Sequence, residues 1–388
     1  MKSKKDLTKF SLPFNVPFVT GGEIKNIKKA QKNKHLSSDG EFTKKNINFF
    51  HSKLNIANIL LTNTCTDALE LIALLLDIKK DDEIIMPSFT FVSTANAFVL
   101  RGGKPVFVDI RSDTLNIDEK KIEKSITKKT KAIVIVHYAG VSCEINTILK
   151  ICKKYKLDLI EDSAHAIMSR YNNRYLGGVG SLGAFSFHET KNYTCGEGGA
   201  LLINKKKYLK RAEILSEKGT DRKKFFSGKI NKYTWRDIGS SSLMSEISAA
   251  YLWSQLKNEK KIFNARMTLW DNYHKLLKNY ETSKLIRRPI VPTKCFHNAH
   301  MYYVILNKKN NRKNIIKEMK NMGINTVIHY IPLHHSPFGK KYLKPNQKLP
   351  VTENYSNRIL RLPFWIGLTL QKQKYIVNNL IKIINNDK

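Results

Sequence analysis

Residues 157–166 read LDLIEDSAHA and residues 185–200 read FSFHETKNYTCGEGGA. The first is an apolar run that closes on Glu161 and Asp162, with Ser163, Ala164 and His165 behind it. The second sets Ser186 between two phenylalanines and then brings Lys191 ahead of Gly196, Glu197, Gly198 and Gly199. An apolar run that ends on an acid reads as a buried strand with a carboxylate at its carboxyl end. That is the edge at which open α/β sheets meet their ligands. A lysine on a glycine-bounded loop adds an amine to the same edge. The pair suits pyridoxal phosphate (PLP): the amine can condense with the cofactor's aldehyde. The carboxylate can keep the pyridine nitrogen protonated, so that the ring draws electrons.

Outward from this pair, strands and helices alternate. ILLT (59–62), EIIMP (83–87), KPVFVDI (104–110) and KAIVIVHYAG (131–140) read as strands, and GALLIN (199–204) as another. The run before His137 and Tyr138 has no polar alternation, which marks a parallel strand buried on both faces. DALELIALLLDI and INTILKICKKYK carry helical apolar faces, and NIDEKKIEKSI reads as a surface helix. Residues 23–32 and 43–54 read as helices on either side of a turn at Asp39-Gly40. The alternation predicts an α/β fold with a mainly parallel central sheet. Residues 221–235 read as a polar, mobile connector, and residues 244–280 as one long helix leading to a second domain. There NAHMYYVIL predicts a strand and NTVIHYIPLHH a strand and loop, with NRKNIIKEMKNMG between them as a helix. QKQKYIVNNLIKII closes the chain as an amphipathic helix. The expected division is a large domain over 1–255, beginning with a loose basic leader at 1–16, and a linking helix with a small α+β domain over 256–388.

Six stretches resemble the DegT/DnrJ/EryC1/StrS sugar aminotransferases: IMPSFTFVSTANAFVLRGGKPVFVD, HYAGVSCE, FSFHETKNYT, KYTWRDIGSS, NAHMYY and HYIPLHHSP. The likeness runs from about residue 17 to residue 370 and is strongest to the transaminases that make dTDP-4-amino-4,6-dideoxygalactose. It implies a PLP-dependent transferase of fold type I, with Lys191 and Asp162 as the catalytic pair. It also implies His165 near the ring hydroxyl, Phe91 stacked on the ring, and the phosphate held by Ser186 and the amides of Thr66 and Asp67. Gly40 and Phe42 match a Gly-x-Phe-Thr loop near the substrate, and His329, Tyr330 and His334 match substrate contacts. The implied reaction takes the amino group of L-glutamate to a nucleotide-linked 4-keto-6-deoxy sugar, for surface polysaccharide of the enterobacterial common antigen type. Active sites shared in a homodimer are implied as well. Many relatives reach the partner's phosphate with an asparagine. Leu243 stands at that point here, next to Ser240, Ser241 and Ser242.

Composition sets the outer bounds. The formal charge is +36, from 68 Lys and Arg against 32 Asp and Glu, which would suit nucleic-acid binding. The lysines, however, are spread along the chain with many Asn and Ile, as AT-rich codons would produce, and no nucleic-acid motif accompanies them. No nucleic-acid partner is expected, although a basic field would help draw in an anionic nucleotide sugar. No run reaches the eighteen or so apolar residues of a membrane span, and no apolar segment follows the basic start as in a secretory signal. The cytoplasm is the expected compartment. Five scattered cysteines without CxxC spacing predict neither a disulfide framework nor a metal site. Two other classes stay open on sequence: a sibling aminotransferase of different regio- or stereochemistry, and a non-catalytic basic binding protein.

Overall fold

A computed structural model describes residues 12–386. In chain order the strands of the large unit are β1 (Ile59–Thr62), β2 (Glu83–Pro87), β3 (Lys104–Val108), β4 (Thr130–Val136) and β5 (Asp158–Asp162). A short hairpin, β6 (Arg170–Tyr171) and β7 (Arg174–Tyr175), precedes β8 (Leu182–Ser186) and β9 (Gly199–Ile203). Seven of these form one sheet in the order β1-β9-β8-β5-β4-β2-β3. The pairs β2/β3, β2/β4, β4/β5 and β5/β8 are parallel, whereas β9 runs antiparallel to both β8 and β1.

This topology gathers the chemistry. β2, β4, β5 and β8 all end at one edge of the sheet. β1 runs the same way, because two antiparallel steps through β9 restore its direction. β9 must start where β8 ends, and the loop between them is the one that carries Lys191. Along β4 and β5, residues from Ala132 to Ile135 and from Leu159 to Glu161 are fully or almost fully buried, as expected of strands covered on both faces. Gly199 is required at the start of β9, since a Cβ there would collide with the backbone of Thr64 and Cys65. The glycine lets β9 pass directly behind the turn that opens the Cys65–Leu75 helix.

The C-terminal part has its own core. β10 (Ile286–Arg287), β12 (Tyr303–Leu306) and β13 (Ile359–Arg361) form a three-stranded antiparallel sheet, and β11 (Cys295–Phe296) pairs with β6. The closing helix Leu370–Asn386 buries Ile376, Val377, Leu380 and Ile384 against Tyr273, Tyr302 and Val304. Each fully buried aliphatic side chain is worth about 1.5–3 kcal/mol. Among the described residues no helix is long and apolar enough to cross a membrane.

The structure departs from the expected elements in five places. Residues 1–11 of the expected leader lie outside the described residues, but the rest of it is docked. Leu12 bridges Ile324, and Trp365 donates its indole N–H to Pro13 at 3.0 Å. The long linking helix is broken, because Asn258 leaves helical geometry between Glu246–Lys257 and Glu259–Leu276. The connector holds a short helix, Arg222–Phe226, and is closed by a bridge from Thr220 to Trp235. Asp221 fixes it by accepting from Thr234 N–H and from Arg236. In NTVIHYIPLHH no strand forms: Val327 makes an isolated bridge to Arg361, and a 3-10 turn follows at Leu333–His335. The expected surface helix at NIDEKKIEKSI is one turn, Glu119–Ile122, with Ile122 buried.

Gly40 and Phe42 are part of a helix cap. The Glu41–Leu54 helix starts at Gly40, which has no side chain to offer its free N–H groups. Glu246, almost fully buried, takes that role: it accepts from Phe42 N–H and Thr43 N–H, both at 2.8 Å, and from the Thr43 hydroxyl. A Cβ at residue 40 would strike the Glu246 side chain. Replacing Glu246 with alanine leaves these donors buried and unpaired, so a thermal or urea melt is expected to show a loss of about 3 kcal/mol. The loss should be smaller for Glu246→Gln, which keeps one acceptor; a melt unchanged in both variants would contradict this role.

Candidate active site

Where the strands end, a cavity of about 620 Å³ opens between the sheet edge and the C-terminal part. Asp162, the last residue of β5, is buried on its wall. Thr94 donates its hydroxyl to Asp162 Oδ2 at 2.7 Å, and Ala164 N–H reaches Oδ1 at 3.1 Å. Thr94 is in turn bonded to Thr90 at 2.8 Å. The carboxylate is therefore held in one orientation while part of its accepting capacity stays directed at the cavity.

Lys191 reaches the same cavity from the loop after β8, where its N–H closes a turn on His188 O at 2.9 Å. Among the described residues its amine makes no hydrogen bond or ion pair. Burial lowers its pKa to about 8 against the usual 10.5, and the positive Arg361 adds to the effect; Cys65 and Asp162 oppose it. An amine that loses its proton near neutrality is a usable nucleophile and base.

His165 is buried on the wall. Its Nδ1 accepts from Ala139 N–H at 3.4 Å, which leaves the proton on Nε2, 3.3 Å from the Tyr330 hydroxyl. Its ring stacks on His300 with centroids 4.2 Å apart. Burial, with Lys191 and Arg361 nearby, pushes its pKa well down, so the imidazole is neutral. His329 lies on the wall against Tyr330, ring centroids 3.6 Å apart, with Nδ1 3.0 Å from the Tyr138 hydroxyl. Phe91 lines the mouth, half exposed, with its ring 6.3 Å from that of Tyr330.

A second set of groups suits a phosphate. Thr64 caps the Cys65–Leu75 helix by accepting from Asp67 N–H at 3.0 Å. That bond occupies the Asp67 amide, and Asp67 does not line the cavity. The first two amides of the helix, those of Cys65 and Thr66, have no partner among the described residues, and both residues are on the wall. A helix N-terminus with free amides is a ready anion site. Thr66 donates to Ser93 Oγ at 2.9 Å, and Ser186, His188 and Thr190 complete this part of the lining.

Of the residues expected at the site, Lys191, Asp162, His165, Ser186, Thr66, Phe91, His329 and Tyr330 all line this one cavity. Asp67, His334, Gly40 and Phe42 do not. His334 is buried behind it, with Nδ1 2.6 Å from Ser88 Oγ. Its Nε2, the His335 Nε2 and a Glu353 oxygen lie within 4.8 Å of one another. Leu243 bridges Thr62 at the end of β1, Asn63 N–H donates to Ser242 O at 2.9 Å and Ser241 bridges Glu217; none of Ser240 to Leu243 lines this cavity. Sequence reading missed Thr94, Ser93, Cys65, His300, Phe14 and Arg361. The hydroxyl run after EIIMP signals the first two. Arg361 is signalled as the one charge in the otherwise apolar ILRLPFWIGL.

The donor set fits PLP on the structure's own terms, with an unpaired, half-buried amine, an oriented carboxylate and a free helix N-terminus around one cavity. Comparison with known proteins agrees. The family model described as the DegT/DnrJ/EryC1/StrS aminotransferase family matches residues 19–381. Over 350 residues the chain is 35% identical to an uncharacterised protein of Methanocaldococcus jannaschii, covering 88% of each chain. It is 32% identical over 369 residues to the spore coat polysaccharide biosynthesis protein SpsC of Bacillus subtilis, covering 92% of this chain and 93% of that one. Among solved structures it is similar to Helicobacter pylori PseC, an aminotransferase involved in the biosynthesis of pseudoaminic acid. There the TM-score is 0.88 at 27% identity, over 97% of this chain and 99% of that one.

The Lys191 amine can be titrated directly. In cofactor-free protein, labelling by an amine-reactive reagent, read by peptide mass spectrometry, is expected to reach its half-maximum at Lys191 near pH 8. A midpoint at 10.5, the value of an ordinary lysine, would contradict the electrostatics of the cavity.

Proposed function

Because the chain belongs to the DegT/DnrJ/EryC1/StrS aminotransferase family, PLP-dependent enzymes acting on sugars, we propose that it aminates C4 of a nucleotide-linked 4-keto-6-deoxy sugar. The substrate is dTDP-4-dehydro-6-deoxy-D-glucose, the donor L-glutamate, and the products dTDP-4-amino-4,6-dideoxy-D-galactose and 2-oxoglutarate. The observation that carries the reading is the Lys191 amine and the Asp162 carboxylate on one cavity wall that also presents free helix amides. SpsC belongs by name to spore coat polysaccharide biosynthesis and PseC to the biosynthesis of pseudoaminic acid. That supports a place in surface-polysaccharide synthesis, such as enterobacterial common antigen.

When bound, PLP supplies an electrophilic carbon and an electron sink. The chain's residues have separate tasks around it. Asp162 Oδ would accept a hydrogen bond from the protonated ring nitrogen and keep it charged, and Thr94 aims the carboxylate. Ser186 and the amides of Cys65 and Thr66 would hold the phosphate, and Phe91 would cover the ring. The neutral His165 would lie near the ring hydroxyl. Lys191 Nζ is the mobile base: it takes the proton from Cα of the amino donor and delivers a proton to the sugar carbon on the return leg. Its depressed pKa leaves enough free amine to do so near neutrality. A homodimer is part of the proposal, with the segment at Ser240–Ser242 reaching a partner's cavity in place of the asparagine of many relatives.

The test is incubation of the PLP-loaded enzyme with L-glutamate and the 4-keto sugar nucleotide, with product identified by mass spectrometry and NMR. An axial C4 amine is expected, and Lys191→Ala should lower turnover by at least about 10⁴-fold, as for loss of an essential nucleophile and base. A C3 amine or an equatorial C4 amine would transfer the enzyme to a sibling specificity. Wild-type turnover in Lys191→Ala would overturn the mechanism.

A further inference from the structure

His334 sits behind the cavity on the 3-10 turn Leu333–His335, with only 2% of its surface exposed. Ser88, the residue after β2, holds it there. Leu333 N–H donates to Ser88 O at 2.9 Å, and Ser88 Oγ accepts from His334 N–H at 3.1 Å while lying 2.6 Å from Nδ1. The ring is fixed by these bonds with its other nitrogen, Nε2, turned toward Glu353. That atom is shut off from solvent and has no hydrogen-bond partner. A buried polar atom left in this state is costly unless something pairs with it.

What faces it is a pair of further ligand atoms. Glu353 Oε1 lies 3.4 Å from His334 Nε2 and 3.9 Å from His335 Nε2, and all three atoms fall within 4.8 Å of one another. Burial, with His335 alongside, lowers the pKa of His334 although Glu353 opposes the effect, so the close approach joins a neutral imidazole and a carboxylate. The Glu353 carboxylate has no lysine or arginine partner among the described residues, although the chain carries 68 such residues. The side chains of His335 and Glu353 are half exposed, which leaves both room to close on a shared ligand. Around a tetrahedral zinc ion with bonds of about 2.0–2.1 Å, neighbouring donor atoms stand about 3.4 Å apart. The two edges that meet at Glu353 already come near that spacing. An anion is disfavoured here by the carboxylate. Magnesium and calcium prefer oxygen donors, whereas two imidazoles and a carboxylate suit zinc.

We propose that His334, His335 and Glu353 bind one zinc ion, with water as the fourth ligand and Ser88 Oγ accepting from Nδ1–H to orient His334. The ion joins the end of β2, the turn and the helix Pro350–Ser356. Ser88 leads on to Phe91, and His329 and Tyr330 precede the turn, so this clasp braces two stretches of the cavity wall from behind and takes no part in the chemistry. None of the five cysteines belongs to the site. The inference stands independently of the reaction proposed above.

The test uses tag-free, full-length protein, loaded with PLP so that the cavity is filled, and freed of metal by dialysis against EDTA. Zinc alone is then expected to raise the melting temperature, with one ion bound per chain by calorimetry, and magnesium to do neither. His335→Ala and Glu353→Gln should melt like the metal-free wild type and lose the zinc response. Ser88→Ala should weaken zinc binding by about 10-fold or more. A zinc response of wild-type size in both His335→Ala and Glu353→Gln would put the ion elsewhere, at a thiol or in the cavity, and overturn the proposal. So would a wild type that binds no zinc, or binds it only above about 1 mM, which marks an adventitious contact.

Discussion

β5 and β8 lie side by side in register, with Asp162 opposite Ala184 and Ser186 two residues beyond. From that parallel pairing the geometry of the cavity follows. It places the Asp162 carboxylate at the sheet edge where the chain leaves β8, so the Lys191 loop has only to fold back over that edge before β9 begins. β9 then returns antiparallel and packs its first residue against the turn of the Cys65–Leu75 helix. Amine, carboxylate and free helix amides are brought together by main-chain hydrogen bonding, which is stiffer than any contact between their side chains. The hydroxyls of Thr94, Thr66 and Ser93 only trim the arrangement.

The period-2 alternation of a strand explains why two neighbouring acids have different fates. Glu161 points away from the cavity and is fully buried. It accepts from Gly177, Val179 and Gly180 N–H and lies 3.0 Å from His137 Nε2. These donors keep its pKa below the usual carboxylate range despite burial. Glu161 therefore fastens the hairpin region to the sheet, and Asp162, one residue on, is left for ligand chemistry.

Much of this was legible in the sequence. The helix expected at 23–32 forms as Glu23–Lys32, and the uninterrupted apolar runs became the central strands, because burial on both faces leaves no alternation to misread. Asp162 could be read because an acid is rare in such a run, whereas Lys191, in a chain this rich in lysine, was legible only through the joint pattern of EDSAHA followed by FSFHETKNYTCGEGG. The departures have physical causes as well. The Asp67 amide cannot be seen as occupied until the Thr64 hydroxyl is seen to cap it. Gly40 and Phe42 belong to a cap completed by Glu246, some two hundred residues away in the chain, and no local pattern reports such a partner. Arg361 stands out as the one charge of ILRLPFWIGL, but nothing local tells that β13 carries it to the cavity wall. The break at Asn258 has no proline or glycine to announce it.

The absorbance spectrum of the PLP-loaded protein, recorded before and after L-glutamate, tests the central assignment most directly. A band near about 420 nm is expected, moving toward about 330 nm as the amino group is taken up; the band should be absent in Lys191→Ala. A wild-type protein that gives no such band with PLP, or a band that L-glutamate leaves in place, would contradict the assignment of this cavity to amino transfer from glutamate.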